Sequence, residues 1–292
     1  MPQILHGDCL EVMKTMPSDS VDLVLTSPPY EDARTYGVGF DLKGQDWVDW
    51  AVERYMECVR VSKGLVVWVI EGRTRNFQWT ATPALLMADL HRAGVKLRKP
   101  PIYHRVGIPG SGGPDWWRND YEFCVCSSKG KLPWSDNVAT GREPKYQPGG
   151  APSHQSRDGR VNRPRPQREG DVRRVRTYDP PAKANPGNML KETYTSVEVA
   201  AMFHIQGDTI KCHGGGGHMG SPLAHENEAP FPEALAEPFI RCFCPPGGVV
   251  LDPFCGSGTT LAVARKWGRE AIGVDVRETQ VALSTRRVRA LF

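Results

Sequence analysis

The run VVLDPFCGSGTT, residues 249–260, joins a short apolar stretch, Val249–Leu251, to an acid, a glycine turn and a helix start. Glycines where a strand turns into a helix let the backbone approach a ligand that a Cβ would obstruct. The pattern predicts a helix over Thr259–Trp267 and a strand over Ala271–Val276. That strand carries Gly273-Val274-Asp275, an acid placed to accept hydrogen bonds from a ribose diol. Strand, glycine turn, helix, strand and acid together make a nucleoside-binding hand. Leu261 stands where the dinucleotide fingerprint needs its third glycine, which counts against a hydride-transferring dehydrogenase.

The same rhythm extends outward. Gln3–His6 reads as a short strand ending at Gly7-Asp8, and Val21–Thr26 is nearly continuous in apolar residues, as in a parallel strand covered on both faces. Val48, Ala51, Val52, Tyr55, Met56 and Val59 recur at helical spacing, with Gly64 expected to stop the helix. Leu65–Ile70 reads as a buried strand, Ala84–Ala93 as a helix, and the neighbourhoods of Pro101–Arg105 and Tyr121–Ser127 as strands. Near the other end a helix over Glu233–Cys244 precedes the glycine turn, and a last helix runs to Leu291. Alternating β and α elements predict a parallel-dominated, doubly wound sheet.

Between these halves the pattern dissolves. Nine prolines lie between Pro133 and Pro186, and a glycine run follows at Gly214–Gly217. The expected organisation is therefore two halves of one α/β domain, 1–128 and 228–292, around an irregular insertion at 129–227. The insertion is also basic. Lys129 to Lys191 holds fourteen Lys/Arg against six Asp/Glu, an excess of +8, whereas the 292-residue chain as a whole carries +4. A basic segment on an otherwise acidic body suits a phosphate backbone; a solvated charged loop is the bland alternative.

Other classes are excluded more simply. A hydrophobic content of 39% and charged content of 24% fit a globular protein, and no run of about 18 apolar residues offers a membrane span. The N-terminus has no secretion signal, so a cytoplasmic location is expected. The eight cysteines form no CxxC pair and read as small buried hydrophobes. Cys212, His213, His218 and His225 are irregularly spaced for a metal site, and no metal is expected.

Thr26-Ser27-Pro28-Pro29-Tyr30 follows the strand Val21–Thr26. Two prolines fix φ, hold the preceding residue extended and remove two backbone donors. What remains presents acceptors, the Ser27 hydroxyl and the Pro28 carbonyl, and an exocyclic amine is a double donor. Tyr30 adds a flat face on which a base can stack. The nitrogen of such an amine is a poor nucleophile because its lone pair is delocalised into the ring. Acceptors that draw its hydrogens out of plane turn that lone pair outward. An isolated Ser-Pro-Pro-Tyr is often only a turn. Here Asp8, Ser27, Glu71, Asp252 and Asp275 all fall at carboxyl ends of predicted parallel strands, the edge where ligands of open α/β sheets gather.

With both motifs in hand, the chain resembles the β-group amino-directed DNA methyltransferases, in which the catalytic hook precedes the target-recognition region and the cofactor motif comes last. TSPPY (26–30), the basic insertion and DPFCGSGTT (252–260) stand in that order. The resemblance covers about 1–128 and 222–292. It implies a circularly rearranged Rossmann-like fold that uses S-adenosyl-L-methionine, with the insertion as the reader of double-stranded DNA. It casts Ser27, Pro28, Pro29 and Tyr30 as the catalytic hook. Asp252, Phe254, Gly256, Ser257, Gly258, Thr259 and Thr260 become the cofactor loop, and Asp275 the ribose acid. Asp8, with Cys9 beside it, is placed near the cofactor adenine, and Phe231 and Pro232 of APFPEAL (229–235) line the same pocket. Thr279 and Gln280 stand where members often carry a tyrosine, and Cys255 stands where alanine is usual.

A serine heading the hook is more typical of cytosine-N4 enzymes, with adenine N6 as the alternative target. Cytosine-C5 chemistry needs a nucleophilic cysteine within a Pro-Cys pair, and the chain has none. The target base must be flipped from the duplex to reach such a hook. Arg157, Arg160, Arg163, Arg165, Arg168, Arg173, Arg174 and Arg176 are candidates for phosphate or guanine contacts. Trp116 and Trp117 read equally as pocket wall or core. A cognate restriction endonuclease is a candidate partner, and the chain is expected to act as a monomer or homodimer. An RNA or protein-amide methyltransferase, and a DNA-binding protein with a vestigial cofactor fold, are the more distant readings.

Overall fold

The computed structural model describes residues 2–32, 40–104, 115–117, 119, 121–141, 183, 189–191, 203–206, 209–212, 221–227 and 232–291. The chain divides into two compact units, one of Met1–Asp136 with Gly187–Phe292 and one of Asn137–Pro186. Of the smaller unit only 137–141 and 183 are described, and they hold a turn closed by Gly141 N–H on the Val138 carbonyl at 2.8 Å.

The larger unit is built on a nine-stranded sheet. Its strands are β1 (Gln3–His6), β2 (Val21–Thr26), β3 (Ser62–Ile70), β6 (Leu97–Arg98), β7 (Ile102–His104), β8 (Tyr121–Ser127), β9 (Met189–Lys191), β12 (Val249–Asp252) and β13 (Glu270–Asp275). Two small antiparallel pairs stand apart from it: β4 (Thr74–Arg75) with β5 (Gln78–Trp79), and β10 (Phe203–Gln206) with β11 (Thr209–Cys212). The order along the main sheet is β1-β13-β12-β2-β3-β8-β7-β9, with β6 also on β8. From β1 to β3 every neighbour is parallel, and β8 then enters antiparallel to β3.

This order realises the expected rearrangement. The first strand of the chain, β1, pairs with the last, β13, in the register His6↔Asp275. The centre is built from both halves of the sequence, since β2 and β12 are neighbours with Leu23↔Val250 and Val24↔Leu251. The chain leaves β12 for β13 on one side and β2 for β3 on the other, so the switch point of the sheet lies between β12 and β2.

Two apolar layers sandwich the sheet. On one face lie α1 (Cys9–Thr15), α2 (Gly44–Val61) and α3 (Thr82–Arg92), packing Met13, Trp47, Val48, Ala51, Tyr55, Leu86 and Leu90 on Val24, Val66, Trp68 and Val125. On the other, α4 (Glu233–Phe243) and α5 (Thr259–Lys266) pack Leu235, Phe239, Ile240, Leu261 and Val263 on Leu23, Leu25, Val67, Val69 and Val250. Strand β3 shows the cause: Leu65, Val67 and Val69 serve the second face, while Val66, Trp68 and Ile70 serve the first. Each such side chain contributes roughly 1.5–3 kcal/mol on burial. The chain ends with α6 (Glu278–Arg289).

Gly64 corrects one expectation. Helix α2 already ends at Val61, and Gly64 lies inside β3. A Cβ there would sit 1.9 Å from the Asp22 carbonyl oxygen, so the glycine is required by close strand approach and not by a helix stop. The seven described cysteines with placed side chains are free thiols and buried, as expected of small hydrophobes. Among the described residues, no helix is long and apolar enough to cross a membrane.

Candidate active site at the sheet switch point

The five polar positions expected at one sheet edge are there. Asp8 follows β1, Ser27 follows β2, Glu71 follows β3, and Asp252 and Asp275 end β12 and β13. The two central strands are tied directly at this edge: Thr26 Oγ1 donates to Asp252 Oδ1 at 2.6 Å. Both residues are buried, so the bond works in a low-dielectric setting.

The hook is held from outside its own strand. Trp47 Nε1, from α2, donates to the Pro29 carbonyl at 3.0 Å. The Tyr30 hydroxyl lies 2.8 Å from Glu122 Oε2 on β8 and 3.3 Å from the Val69 carbonyl, and Ser27 Oγ donates to it at 3.3 Å. One hydroxyl proton can serve only one acceptor well, and the buried Glu122 carboxylate is the shorter and charge-assisted choice. The Ser27 oxygen keeps its lone pairs, and the Pro28 carbonyl has no donor among the described residues.

The glycine loop is held from beneath. Gly256 and Gly258 adopt φ of +47° and +77°, which L side chains rarely enter, and Gly258 N–H closes a turn on the Cys255 carbonyl at 2.7 Å. A Cβ on Gly258 would come within 2.8 Å of Ser284 Cβ. Asp275 Oδ2 accepts from Gly256 N–H at 3.0 Å and Oδ1 from Arg277 N–H at 2.9 Å. Under the loop runs Arg287, only 2% exposed. Its Nη1 donates to Thr259 Oγ1 at 2.8 Å and Ser257 Oγ at 3.3 Å, and its Nη2 to Glu233 Oε1 at 2.8 Å. Thr260 Oγ1 donates to the Leu25 carbonyl at 3.3 Å, a second tie between the cofactor-loop helix and β2.

Aromatic side chains fill the space between the two motifs. The Phe254 ring lies 5.6 Å from Trp68 and 5.7 Å from Trp50, and Trp50 lies 6.2 Å from Trp47, which holds Pro29. Asp8 joins the same cluster: its Oδ1 caps α1 on Leu10 N–H at 2.8 Å, its Oδ2 accepts from Arg54 Nη2 at 3.1 Å, and Arg54 lies over the Trp50 ring at 4.5 Å. Cys9 beside it is a buried thiol pushed up to about 12, chiefly by desolvation. Pro232 precedes α4 at the position before Glu233.

The electrostatics favour a cation. Burial pushes Asp252 up to about 6 against bonds from Thr26, Thr260 and the Phe254 N–H, with the Asp275 charge adding to the rise. Asp275 is also raised, again chiefly by burial. Two desolvated carboxylates that repel each other gain from a positive ligand between or beside them.

Sequence reading missed Glu122, Arg287, Thr26 and Arg54. Their partners lie far along the chain, such as Tyr30 to Glu122 and Arg287 to Glu233, and no spacing rule announces such pairs. Phe231, His213, His218 and the arginines at 157, 160, 163, 165, 168, 173, 174 and 176 lie outside the described residues, as do the side chains of Cys212 and His225. Trp116 and Trp117 are not core: both are largely exposed, their rings 5.5 Å apart.

A doubly wound sheet with a proline hook and a glycine loop at adjoining strand ends defines a nucleoside-dependent transferase of the Rossmann-like type. The family model described as DNA methylase, of the N6/N4 type, matches residues 21–286, and the chain belongs to that family. Among its relatives, the orphan methyltransferase M.BamHII of Bacillus amyloliquefaciens is 28% identical over 97% of this chain and 90% of its own. The DNA adenine methyltransferase YhdJ of Escherichia coli K12 is 26% identical over 98% and 82%. Among solved structures, the cytosine-N4-specific PvuII DNA methyltransferase superposes with a TM-score of 0.63 at 20% identity, covering 97% of this chain and 85% of its own. A DNA modification methylase of Thermus thermophilus, complexed with S-adenosyl-L-methionine, gives 0.56 at 22% identity over 99% and 96%.

Proposed function

We propose that the chain transfers a methyl group from S-adenosyl-L-methionine to the exocyclic amine of a base flipped out of double-stranded DNA, and that the base is cytosine, methylated at N4. The observation that carries this is the bond from Thr26 to Asp252, which makes the hook and the glycine loop two walls of one sheet edge. The residues fit the cofactor. The loop at 256–258 leaves backbone where a Cβ would clash, Asp275 keeps spare lone pairs for ribose hydroxyls, and the paired acids suit a sulfonium. When bound, S-adenosyl-L-methionine supplies an activated methyl group.

The chain's own residues then do three things. Ser27 Oγ and the Pro28 carbonyl accept the two N–H bonds of the amine and turn its lone pair out of the ring plane. Tyr30 stacks on the base, a contact worth roughly 1–3 kcal/mol. As the new N–C bond forms and the S–C bond breaks, the nitrogen loses a proton. Ser27 Oγ, Tyr30 Oη and Glu122 Oε2 give it a route, in steps of 3.3 and 2.8 Å, to a buried carboxylate. Positioning and charge placement account for most of the rate in such a site.

The segment 129–227, with its arginines, is assigned the reading of sequence and the gripping of phosphates. Ser27 at the head of the hook supports cytosine N4, as does the likeness to the PvuII fold. The relationship to an adenine enzyme keeps N6 as the second reading. Nucleoside mass spectrometry of DNA from cells expressing the chain separates the two: N4-methylcytosine is expected. N6-methyladenine without it would replace the first reading by the second, and methylation of RNA or protein alone would overturn both.

A further inference from the structure

The β4–β5 hairpin takes no part in this chemistry, yet it stands at the same edge. It follows β3 directly, and its pairs Thr74↔Trp79 and Arg75↔Gln78 leave Asn76-Phe77 as a two-residue turn. Both turn residues have positive φ, +47° and +63°. Such turns favour Asn followed by Gly. A bulky phenylalanine at the second position is strained, and strain of this kind is retained where it serves a purpose. Here its effect is to hold the Phe77 ring out in solvent, 79% exposed.

The base of the hairpin is rigid and fixed to the hook. Asp32, two residues beyond Tyr30, is bridged by Arg73 at 2.9 Å, Arg75 at 3.0 Å and Lys43 at 3.8 Å. Arg73 N–H donates to Thr80 Oγ1 at 2.9 Å and Trp79 Nε1 to Glu71 Oε1 at 2.9 Å, while Trp79 packs so closely on Gly72 that a Cβ there would meet its Nε1 at 2.4 Å. Three cations around one carboxylate leave a positive surplus beside the aromatic tip. An aromatic track also links the hairpin to the hook's partner strand. Trp79 lies 6.4 Å from Phe123 and Phe123 lies 5.5 Å from Tyr121, the two neighbours of Glu122. Positive charge interleaved with exposed π-faces is the recognition chemistry of nucleic acid, in which phosphates and bases alternate.

We propose that Phe77 is a wedge: when the chain binds duplex DNA, this ring enters the base stack beside the target nucleotide and fills the gap that the flipped base leaves. The proposal rests on the base-flipping reading above and deepens it. Filling the gap offsets the lost stacking, so the wedge matters most when the target is paired and least when it is already loose.

The test uses duplex oligonucleotides carrying the sequence that modified-base sequencing shows the wild-type chain to methylate, with the target base either paired or mismatched. Phe77→Ala and Phe77→Gly are each expected to lower kcat/KM on the paired duplex about 10- to 100-fold, the worth of one base stack. Activity on the mismatched duplex is expected to stay within a few-fold of wild type, and Phe77→Trp to retain activity on both. Because the ring stands in solvent and glycine relieves the backbone, the melting temperature of Phe77→Gly is expected to equal or exceed that of wild type. Full activity of Phe77→Ala on the paired duplex overturns the wedge and points the exposed ring to a protein partner instead. Equal losses on paired and mismatched duplexes also overturn it. If the wild-type chain methylates no DNA at all, the base-flipping reading fails first and the wedge falls with it.

Discussion

The hook at 26–30 and the loop at 252–258 end adjoining strands, yet they are made rigid in opposite ways. Prolines lock the hook, and two long-range side chains, Trp47 and Glu122, grip it from neighbouring elements. Glycines free the loop, and a buried guanidinium, Arg287, then fixes it from below. The contrast follows from what each presents. A segment that offers oxygen lone pairs must not satisfy them internally, so its support comes through a ring nitrogen on Pro29 and a phenol oxygen, leaving Ser27 and Pro28 open. A segment that offers backbone surface must lack side chains, so its support comes from beneath, through Ser257 and Thr259.

The sharpest way to break this contrast is a crossed pair of variants. Tyr30→Ala is expected to lower kcat by about 10²–10³-fold, since stacking and the proton route are lost together, while cofactor Kd stays within a few-fold. Asp275→Ala is expected to raise cofactor Kd about 10- to 100-fold through loss of charged hydrogen bonds, with a smaller effect on kcat at saturation. Titration calorimetry and single-turnover methyl transfer separate the two. Equal effects on both quantities in both variants would erase the division of labour.

Arg287→Met sharpens the loop side. It strands Glu233 in a partly buried site and releases Ser257 and Thr259, which should cost about 3 kcal/mol of stability and raise cofactor Kd. Replacing Glu233 by Leu in the same chain should recover stability but not affinity, because the hydroxyls remain unpinned. Recovery of both in denaturant and binding titrations would show the loop needs no such support.

The smallest effect concerns Asp252. Its folded pKa, about 6, lies above the ordinary 3.8, so the folded chain holds this proton more tightly than the unfolded one. Stability from this group therefore falls as pH rises from about 4 to 6, and the loss persists above that window. Asp252→Asn keeps an acceptor for Thr26 and removes the charge. Without cofactor at pH 7.5 it is expected to be more stable than wild type by about 1–3 kcal/mol, and no more stable near pH 4. A variant less stable than wild type at pH 7.5 would contradict the account of a strained buried acid.

The sequence made the frame of this arrangement legible. The apolar runs 21–26, 65–70 and 249–251 could only be inner strands, and their carboxyl ends carried Ser27, Glu71 and Asp252 to one edge. The motif order foretold that β1 would close onto β13. What stayed hidden was tertiary. Gly64 carries the same letter as a helix stop, and only the Asp22 carbonyl beside it reveals a strand. Glu122 and Arg287 look like ordinary charged residues of a strand and a helix until the fold buries them. Asn76-Phe77 lacks the glycine that marks a tight hairpin, so the turn that displays Phe77 gave no local signal.

The central claim, that hook and loop share one reaction space, is tested most directly by a crystal structure with S-adenosyl-L-methionine bound. The account predicts the ribose at Asp275, the methionine portion along 254–258, and the methyl group turned toward Ser27 and Tyr30 with room for one base between. A cofactor bound with its methyl group facing away from residues 27–30, or outside the β12–β2 switch point, would contradict it.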